Sequence, residues 1–507
     1  MKRIASLAVA VLLLQMLLLP AIASAEQEPV NVVFIAPYSG TESDPEAYKM
    51  VQDYILQETG VLVDSIRLSG TNDNDKVNLM LSSDEQVDVF WGGWMTYATN
   101  GMIQPVTQYL DEVPNMLKVW TDFSPDALQV YTDSEGTVWG LPRNVNRVFY
   151  QTFVRQDWLD LLGMEGPATL DELNAFLYAV KEADPYGNGE TIPLITRGDS
   201  LEALAYHFLG GFTQYGYSNW WNEETGTLMP YFLQDGYTGF LAQCAAWYND
   251  GIIHKENFGW DTNTVRSLLA SGRVAATGAY STDTTAQYAN LKVNYPGAVW
   301  YDDIEGMTGP NGDKMETQIK ANSTAILFSA KSDEAHVKAA LKVIDWMYSD
   351  WYNFKVGMSG IEGIHWEYNA DYADAKEKHI TSDLADASLY GKNFWFGIGL
   401  PLEMDCITYD ADGQRNMHNE YMGHQGNTFA AKAPFDVNIN YDVNALKDAA
   451  TGYSDILTAL NEEQVKFVTG QRDLSEWDTF VQELYDMGLQ DYIDEYTRQY
   501  KAAVGME

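Results

Sequence analysis

Residues 61–90 read VLVDSIRLSGTNDNDKVNLMLSSDEQVDVF, and their pattern decides the fold. Val61, Val63, Ile66 and Leu68 mark a strand, and 73–83 has the pattern of a helix. Residues 87–90 are a further short apolar run of strand type. The order strand, helix, strand predicts a parallel sheet with helical crossovers, which is an α/β fold.

The same alternation extends in both directions along the chain. Upstream, Val30–Ala36 has strand length, and Pro45–Thr59 carries apolar residues at helical spacing before Gly60, a helix stop. Downstream, apolar residues recur at helical spacing in 169–180, 333–348 and 473–488. The first strand is therefore followed by at least two strand–helix units, and helices continue to the end of the chain.

The length of 507 residues predicts more than one domain, because single cores rarely grow this large. The sequence contains no low-complexity linker, which favours two lobes joined by tight crossings with a cleft between them. We predict a signal peptide at 1–25, a first lobe from 26–142 plus about 274–330, and a second lobe from about 143–273 plus 331–507.

The N-terminus has the features of an export signal. Lys2 and Arg3 precede the apolar run Ile4–Leu19, Pro20 breaks that run, and Ala23–Ala25 has the small-residue cleavage pattern. The alternative is a membrane anchor, although the apolar run is short for a bilayer span. We expect an exported chain, periplasmic or secreted or at the cell surface, with no lipoprotein cysteine and no membrane span after cleavage.

Charge and cysteine content limit the partners. The formal net charge is −41, so nucleic acid and anionic lipid surfaces would repel the protein, and no nucleic-acid partner is expected. The cysteines are Cys244 and Cys406. An oxidising compartment would permit a disulfide between them, and two buried free thiols are an equally good interpretation.

The sequence contains none of several common catalytic motifs. A G-x-G-x-x-G run, a phosphate-binding loop ending in Gly-Lys-Ser/Thr, a G-x-S-x-G elbow and the zinc-binding His-Glu-x-x-His spacing are all absent. Paired carboxylates of a glycosidase remain open, because any of the 72 acidic residues could form such a pair.

Aromatic residues make up 13% of the chain, with 15 Trp and 32 Tyr. Flat rings fit the apolar face of a sugar, and amide, carboxylate and guanidinium groups fit its hydroxyl rim. Trp94 follows the third predicted strand, where α/β clefts form, and Tyr280 follows the strand-like run 274–277. For each tryptophan in a loop, ordinary packing is the competing interpretation.

Four segments resemble extracellular solute-binding proteins of family 1, the maltose-binding-like class, in its large oligosaccharide-binding branch. They are 138–143 (VWGLPR), 155–173 (RQDWLDLLGMEGPATLDEL), 361–366 (IEGIHW) and the terminal helices from about 469 to 500. The resemblance implies a type II periplasmic-binding-protein-like fold with two lobes, a hinge and a sugar in the cleft. It also implies an ABC permease with its ATPase as partner, and a monomer is expected.

The resemblance further implies a calcium loop, because 184–190 (DPYGNGE) is similar to the D-P-D/N-G-N-G run of the family. Asp184 and Asn188 match the run, and the Glu190 carbonyl could contribute a further oxygen. Tyr186 and Ile192 stand where acidic side chains are expected. No cofactor is therefore required; a bound calcium ion and a simple helix-ending turn are both left open.

The function predicted from these observations is capture of a sugar or oligosaccharide, without catalysis, for delivery to an ABC importer. The alternatives are a secreted lyase or hydrolase and a binding protein for a peptide or another solute. Aromatic side chains would stack on the sugar, and an arginine would donate paired hydrogen bonds to hydroxyls or to a uronate. The predicted ligand-binding residues are Trp94, Arg143, Trp260, Tyr280, Trp366 and Trp395.

Overall fold

The computed structural model describes most of the chain after residue 27. The described residues are 28–36, 44–68, 73–125, 127–133, 135–143, 150–198, 200–279, 281–301, 307–318, 324–384, 401–402, 406–410, 413, 432–436 and 439–506. The predicted signal peptide at 1–25 and two of the predicted site residues, Tyr280 and Trp395, lie outside this set.

Strands and helices alternate through the first half of the described chain. The strands are β1 (Asn31–Ala36), β2 (Leu62–Arg67), β3 (Val89–Gly93), β4 (Phe153–Arg155), β5 (Ile192–Thr196), β6 (Trp220–Asn222), β7 (Thr227–Met229), β8 (Val274–Gly278), β9 (Trp300–Tyr301), β10 (Thr324–Phe328), β11 (Trp366–Tyr368), β12 (Ile380–Asp383) and β13 (Ile407–Tyr409). The helices of the first half are α1 (Pro45–Thr59), α2 (Asp73–Ser82), α3 (Trp94–Thr99), α4 (Pro114–Phe123), α5 (Gln156–Leu162), α6 (Leu170–Ala183), α7 (Glu202–Phe208) and α8 (Tyr237–Asn249). Those of the second half are α9 (Thr262–Ala270), α10 (Ser281–Ala286), α11 (Tyr288–Asn294), α12 (Glu334–Ser349), α13 (Trp351–Ser359), α14 (Val443–Ala449), α15 (Tyr453–Thr469), α16 (Trp477–Asp486) and α17 (Leu489–Val504).

The first lobe is built on a sheet with the strand order β10-β3-β1-β2. β1 pairs in parallel with β2 and β3, as the alternating pattern predicts, and β10 adds to β3 in the antiparallel sense. Asp44 caps α1 by accepting the amides of Glu46 and Ala47, and Gly60 ends that helix with a φ of 70°. The predicted bounds of α1 are confirmed.

The second lobe is built on a sheet with the order β5-β8-β4-β9. β5 and β8 are parallel, and β4 is antiparallel to β8 and to β9. The C-terminal helices α15, α16 and α17 bury Leu460, Phe480 and Ile493 in the apolar core of this lobe, together with residues of α6 and α8. The α/β, two-lobed architecture predicted from the sequence is confirmed.

The predicted lobe boundaries differ from the structure at two places. The segment from about 274 was expected in the first lobe, but β8 and β9 join the second sheet. The segment from 331 was expected in the second lobe, but Val337 and Leu341 of α12 are buried in the apolar core that contains β1 and β3. The apolar pattern of a strand or helix does not specify which of two sheets it packs on, so the sequence could not decide these placements.

The segment 138–143, which follows the first-lobe strands, packs beside β10 at the edge of the first sheet. Leu141 and Ile326 exchange both backbone hydrogen bonds at 3.0 Å, which joins the segment 138–143 to β10. Gly140 is required at this contact, because a Cβ atom there would lie 2.6 Å from the Ala325 Cβ and 2.9 Å from the Ile326 carbonyl oxygen. The Gly-Leu pair of the Trp-Gly-Leu-Pro run is therefore explained by its close packing against β10.

Cys244 and Cys406 are both buried free thiols, so they do not form a disulfide with each other in this structure. Cys244 lies in the apolar core of the second lobe, and Cys406 packs with the core of the first lobe. Among the described residues, none of the helices combines the length and the apolar character that a bilayer crossing needs.

Candidate functional site

Parallel strands of one sheet end at the same edge, and ligand sites of open α/β sheets form at such edges. In the second lobe, β5 ends at Thr196 and β8 ends at Gly278. The Thr196 hydroxyl donates to the Gly278 carbonyl over 3.1 Å, so the two strand ends are held together. In the first lobe, β3 ends at Gly93 and Trp94 begins α3. These strand ends are where a ligand site is expected.

A cavity of about 480 Å³ opens at the end of β5, and we call it the Trp260 cavity. Its size falls within the range of about 300–1,000 Å³ that small-molecule sites occupy. The side chain of Asn257 accepts the Thr196 amide over 3.1 Å, which fixes the short helical turn before Trp260 to the end of the strand. The walls include Tyr150, Arg197, Glu202, Trp260, Asp261 and Thr262.

The Trp260 ring is positioned by an aromatic contact and remains partly exposed. His254 stacks on it, with ring centroids 4.9 Å apart and an interplanar angle of 21°. Trp260 is only partly buried and forms part of the cavity wall. A flat, half-exposed indole of this kind can stack on the apolar face of a ring-shaped ligand.

The charged groups of this cavity have different environments. Burial raises the pKa of Glu202, and the nearby Arg197 lowers it in part. Asp261 caps α9, and its hydrogen bonds from Thr264 lower the pKa of its carboxyl. Arg197 donates to the Thr262 hydroxyl over 3.3 Å. The walls therefore present two acids and one guanidinium, which can bind hydroxyl groups.

Tyr150, the next described residue after the segment 138–143, is fixed by aromatic contacts. It stacks on Tyr206 with centroids 4.3 Å apart and meets the edge of the His207 ring at 5.5 Å. The fully buried His207 contacts the Thr152 hydroxyl through Nδ1 and the Ala279 carbonyl through Nε2, both at 3.1 Å. Because a carbonyl only accepts, Nε2 carries the proton. Burial lowers the pKa of this imidazole to about 4.

A larger cavity of about 950 Å³ lies between the lobes, and we call it the Trp94 cavity. Its first-lobe wall comes from α3, from 129–133 and from Trp139, and its second-lobe wall comes from 439–444 and Ala503. The Trp139 indole donates to the Asp133 carboxylate over 2.7 Å. Among the described lining residues, the charged groups are the carboxylates of Asp133 and Asp442.

One carbonyl joins the two walls of the Trp94 cavity. The Val130 oxygen accepts the Trp94 indole N–H over 3.0 Å and the Asn440 side-chain amide over 2.9 Å. Val130 belongs to the core of the first lobe, whereas Ile439 and Tyr441 pack with Trp221 of the second. The Asn440 bond therefore connects the lobes directly.

The structure places two of the predicted site residues on cavity walls. Trp260 lines its own cavity, and Trp94 lines the larger one although its side chain is only 5% exposed. Arg143 is largely buried, with its guanidinium carbon 3.8 Å from the centroid of the Trp91 ring. It lies at the crossing next to β3 rather than on either cavity wall. A ligand role for these three residues stays a prediction.

Trp366 was predicted to stack on a sugar, but it is fully buried. Its indole donates to the Gly360 carbonyl over 2.8 Å, and its ring meets Trp351 edge to face at 6.0 Å. The side chain offers no exposed face to a ligand in this structure, so we leave it out of the proposed site. An indole in a glycine-containing segment looks the same in the sequence whether it packs inward or outward.

Sequence reasoning did not select Tyr150, Arg197, Glu202 or Trp139. Arg197 directly follows β5, so the rule that placed Trp94 after β3 would have found it. Tyr150 and Glu202 carry no comparable signal, because they reach the cavity from a crossing and from a helix.

Two of the predicted calcium ligands, Asp184 and the Glu190 carbonyl, make hydrogen bonds within the protein. Over the part of the chain that the structure describes, His, Cys, Asp and Glu side chains form no group of three or more suited to a metal ion. Asp184 already accepts three hydrogen bonds within its own loop, and Arg273 donates to the Glu190 carbonyl. Calcium needs six to eight oxygens, and those of Asp184 and the Glu190 carbonyl already accept hydrogen bonds from the protein, so calcium binding at this loop stays a prediction.

Comparisons with known proteins agree with this geometry. The family model described as bacterial extracellular solute-binding protein matches residues 40–353. The chain is 25% identical to the fructooligosaccharide ABC transporter substrate-binding protein FusA of Streptococcus pneumoniae, over 94% of this chain and 91% of that protein.

Solved structures share the fold over almost the whole chain. An HMO-binding, ABC-transporter-associated solute-binding protein from Bifidobacterium longum infantis is 18% identical with a TM-score of 0.66, and the match covers 94% of this chain and 99% of that one. The alginate-binding protein AlgQ2 without calcium ion is 18% identical with a TM-score of 0.63, covering 94% and 98%. An EF-hand mutant of FusA in complex with fructo-nystose is 19% identical with a TM-score of 0.63, covering 94% and 99%. At these identities the matches establish a common two-lobed fold.

Proposed function

The chain belongs to the bacterial extracellular solute-binding protein family, and from that premise we propose that it captures an oligosaccharide between its lobes and delivers it to an ABC importer. The main support for the proposal is the Trp260 cavity at the carboxyl end of β5, which an indole, a tyrosine and hydrogen-bonding groups line together. This combination matches the apolar face and hydroxyl rim of a sugar. FusA and the Bifidobacterium protein, which are named for oligosaccharide ligands, are similar over nearly the full chain.

Binding and closure would be coupled. The second lobe contributes the Trp260 cavity, and the first lobe contributes Trp94 and the Arg143–Trp91 pair beside it. A ligand that contacts both lobes favours the closed arrangement by its greater affinity for that state. The partners on this proposal are the permease subunits and their ATPase, with the protein acting as an exported monomer that requires no cofactor.

The charge of the walls favours an uncharged ligand. Asp133 and Asp442 are the charged groups on the described walls of the Trp94 cavity, and the whole chain carries −41. In the Trp260 cavity, Arg197 faces two acids, Glu202 and Asp261. A uronate would therefore meet repulsion from both cavities, whereas neutral hydroxyl groups can donate to these carboxylates.

A thermal-shift screen tests the function directly, because a ligand that binds only the folded state raises the melting temperature. The panel contains kestose, maltotriose and cellotriose as neutral sugars, trigalacturonate as an acidic sugar, and a tripeptide. We expect a neutral trisaccharide to raise the melting temperature and trigalacturonate to leave it unchanged. A protein stabilised by the tripeptide alone, or by no sugar of a wide glycan library, would contradict the proposal.

Two tryptophans give a matched test of the site. Replacement of Trp260 by Ala should weaken binding of the active sugar about tenfold or more, as loss of an aromatic anchor does. Trp346, also partly buried and located on α12, is the control, and Trp346→Ala should leave affinity within about twofold of the wild type. Equal affinities of the two variants would remove Trp260 from the site.

One observation supports an enzyme as a second candidate. Glu202, whose pKa is raised, and Asp261, whose pKa is lowered, line the same cavity, and glycoside hydrolases use such a pair as acid and base or nucleophile. A reducing-end assay on the sugars that bind would detect turnover. Turnover that disappears in Glu202→Gln would establish catalysis and overturn the receptor proposal.

A further inference from the structure

The loop between α6 and β5 folds back on itself within a few residues. α6 ends at Ala183, and both Asp184 and Asn188 then adopt positive φ angles, 44° and 61°. Gly187 and Gly189 do the same. A turn this tight brings backbone groups toward a common centre, which in a calcium loop is filled by the ion.

In this loop, hydrogen-bond donors of the chain itself surround the Asp184 carboxylate. The Thr191 hydroxyl donates to Asp184 Oδ1 over 2.6 Å, and the Gly189 amide donates to Asp184 Oδ2 over 2.7 Å. The Thr191 amide adds a 3.2 Å contact to Oδ1, and the Thr191 hydroxyl in turn accepts the Tyr186 amide over 3.1 Å. Both oxygens of the Asp184 carboxylate therefore already accept hydrogen bonds from the loop, and the Thr191 hydroxyl oxygen already accepts an amide.

A second oxygen of the predicted set, the Glu190 carbonyl, accepts a hydrogen bond from a cationic side chain of the protein. Arg273 Nε donates to the Glu190 carbonyl over 3.0 Å, and the same nitrogen lies 3.7 Å from the Glu190 carboxylate. Arg273 precedes β8, and its own carbonyl accepts the Ile192 amide over 2.8 Å. The guanidinium thus joins the end of the loop to the start of both parallel strands.

We propose that 184–191 is a metal-independent loop, in which the Thr191 hydroxyl and the Arg273 guanidinium perform the closing role that an ion performs in a calcium loop. The proposal is independent of what the protein binds. On this proposal, hydrogen bonds of Thr191 stabilise the turn, and the positive charge of Arg273 attaches the turn to the sheet.

The first test uses calcium alone. Protein treated with EDTA and then dialysed should show no binding heat on titration with Ca²⁺, and its melting temperature should be the same in EDTA and in CaCl₂. Heat that fits a single site, or a melting temperature raised by CaCl₂, would overturn the proposal.

The second test uses Thr191→Val, which keeps the shape and removes the hydroxyl. Because the variant lacks the hydrogen bonds of the Thr191 hydroxyl, its melting temperature should be lower than that of the wild type by about 2–4 °C. The decrease should be the same in EDTA and in CaCl₂. Thr458→Val is the matched control, because the Thr458 hydroxyl makes one bond to Ser454 on the exposed face of α15. A Thr191→Val protein as stable as the control would refute the closing role of the hydroxyl.

Arg273→Gln removes the charge and keeps a donor. We expect a decrease in melting temperature that shrinks at 1 M NaCl, since a half-exposed ion pair is screened by salt. A decrease that is restored by Ca²⁺ would mean that the ion can enter the loop, and would contradict the proposal.

Discussion

Arg155 and Asp157 form a bidentate ion pair, with Nε 2.7 Å from Oδ1 and Nη2 2.6 Å from Oδ2. The Arg155 side chain is fully buried, and its third nitrogen donates to the Gly272 carbonyl over 3.0 Å. Its guanidinium also lies over the Trp158 ring, 4.4 Å from the centroid. The Arg-x-Asp-Trp run that marks the resemblance in the sequence is thus explained by the packing of β4 against α5 and the turn before β8.

We expect Asp157→Asn to lower the free energy of unfolding by about 3 kcal/mol, because it leaves the buried guanidinium without its counter-charge. Asp122→Asn is the control, since Asp122 pairs with Lys118 on the surface, where both side chains are mostly exposed. The control should change stability by less than about 0.5 kcal/mol. Urea denaturation measures both, and similar losses for the two variants would contradict a structural role for the buried pair.

The fold was predictable because its signals are local. The short apolar runs in 61–90 and the helix stop at Gly60 indicate strands and helices without reference to distant residues. Lobe membership was not predictable, because β8 and α12 reach their sheets through long-range contacts that leave no local pattern.

The site was only partly predictable, for a related reason. Trp94 directly follows β3, which the pattern reveals, whereas Trp260 reaches its cavity from a turn that Asn257 attaches to the end of β5. Trp366 has the same local composition but packs inward against Trp351. Glu202 enters the Trp260 cavity from a helix, and its position depends on how α7 packs on β8. Such placements follow from tertiary packing, and composition alone does not encode them.

His207 should make stability fall on mild acidification. The unfolded pKa is about 6.5 and burial lowers the folded pKa to about 4, so between these values the unfolded state binds a proton that the native state does not. Stability is retained above pH 6.5 and decreases by about 1.4 kcal/mol per pH unit toward pH 4. His207→Gln keeps a donor toward the Ala279 carbonyl and cannot titrate. Urea denaturation from pH 7 to pH 4.5 should show a shallower slope for this variant, and parallel slopes would contradict the assignment.

Glu316 should make stability fall as the pH rises, which is opposite to the effect of His207. Burial raises the pKa of its carboxyl to about 7, against the lowering effect of the Glu316 and Met307 amides and of Lys314. The native state therefore holds a proton that the unfolded state releases above about pH 4.5, and stability decreases as the pH rises from about 4.5 to 7. Glu316→Gln should match the wild type at pH 4.5 and exceed it by several degrees in melting temperature at pH 8. A variant less stable than the wild type at pH 8 would show that the ionised carboxyl is stabilised in the native state.

Asn440 offers a test of the contact between the lobes. Its side-chain amide donates to the Val130 carbonyl over 2.9 Å, and Asn440→Ala removes this bond without altering either sheet. A net hydrogen bond contributes about 0.5–1.5 kcal/mol, so the variant should favour the open arrangement and bind its sugar about 2- to 10-fold more weakly. Small-angle scattering of the sugar-free variant should give a larger radius of gyration than that of the wild type.

Asn290→Ala is the matched control for this last experiment, because the Asn290 amide donates to Gln287 within the second lobe over 3.0 Å. It removes one bond of the same kind and should leave the scattering curve and the affinity unchanged. If Asn440→Ala behaves as this control does, the Asn440 bond does not hold the lobes together. Closure would then depend on the ligand alone, because the ligand would be the group whose contacts differ between the open and closed arrangements.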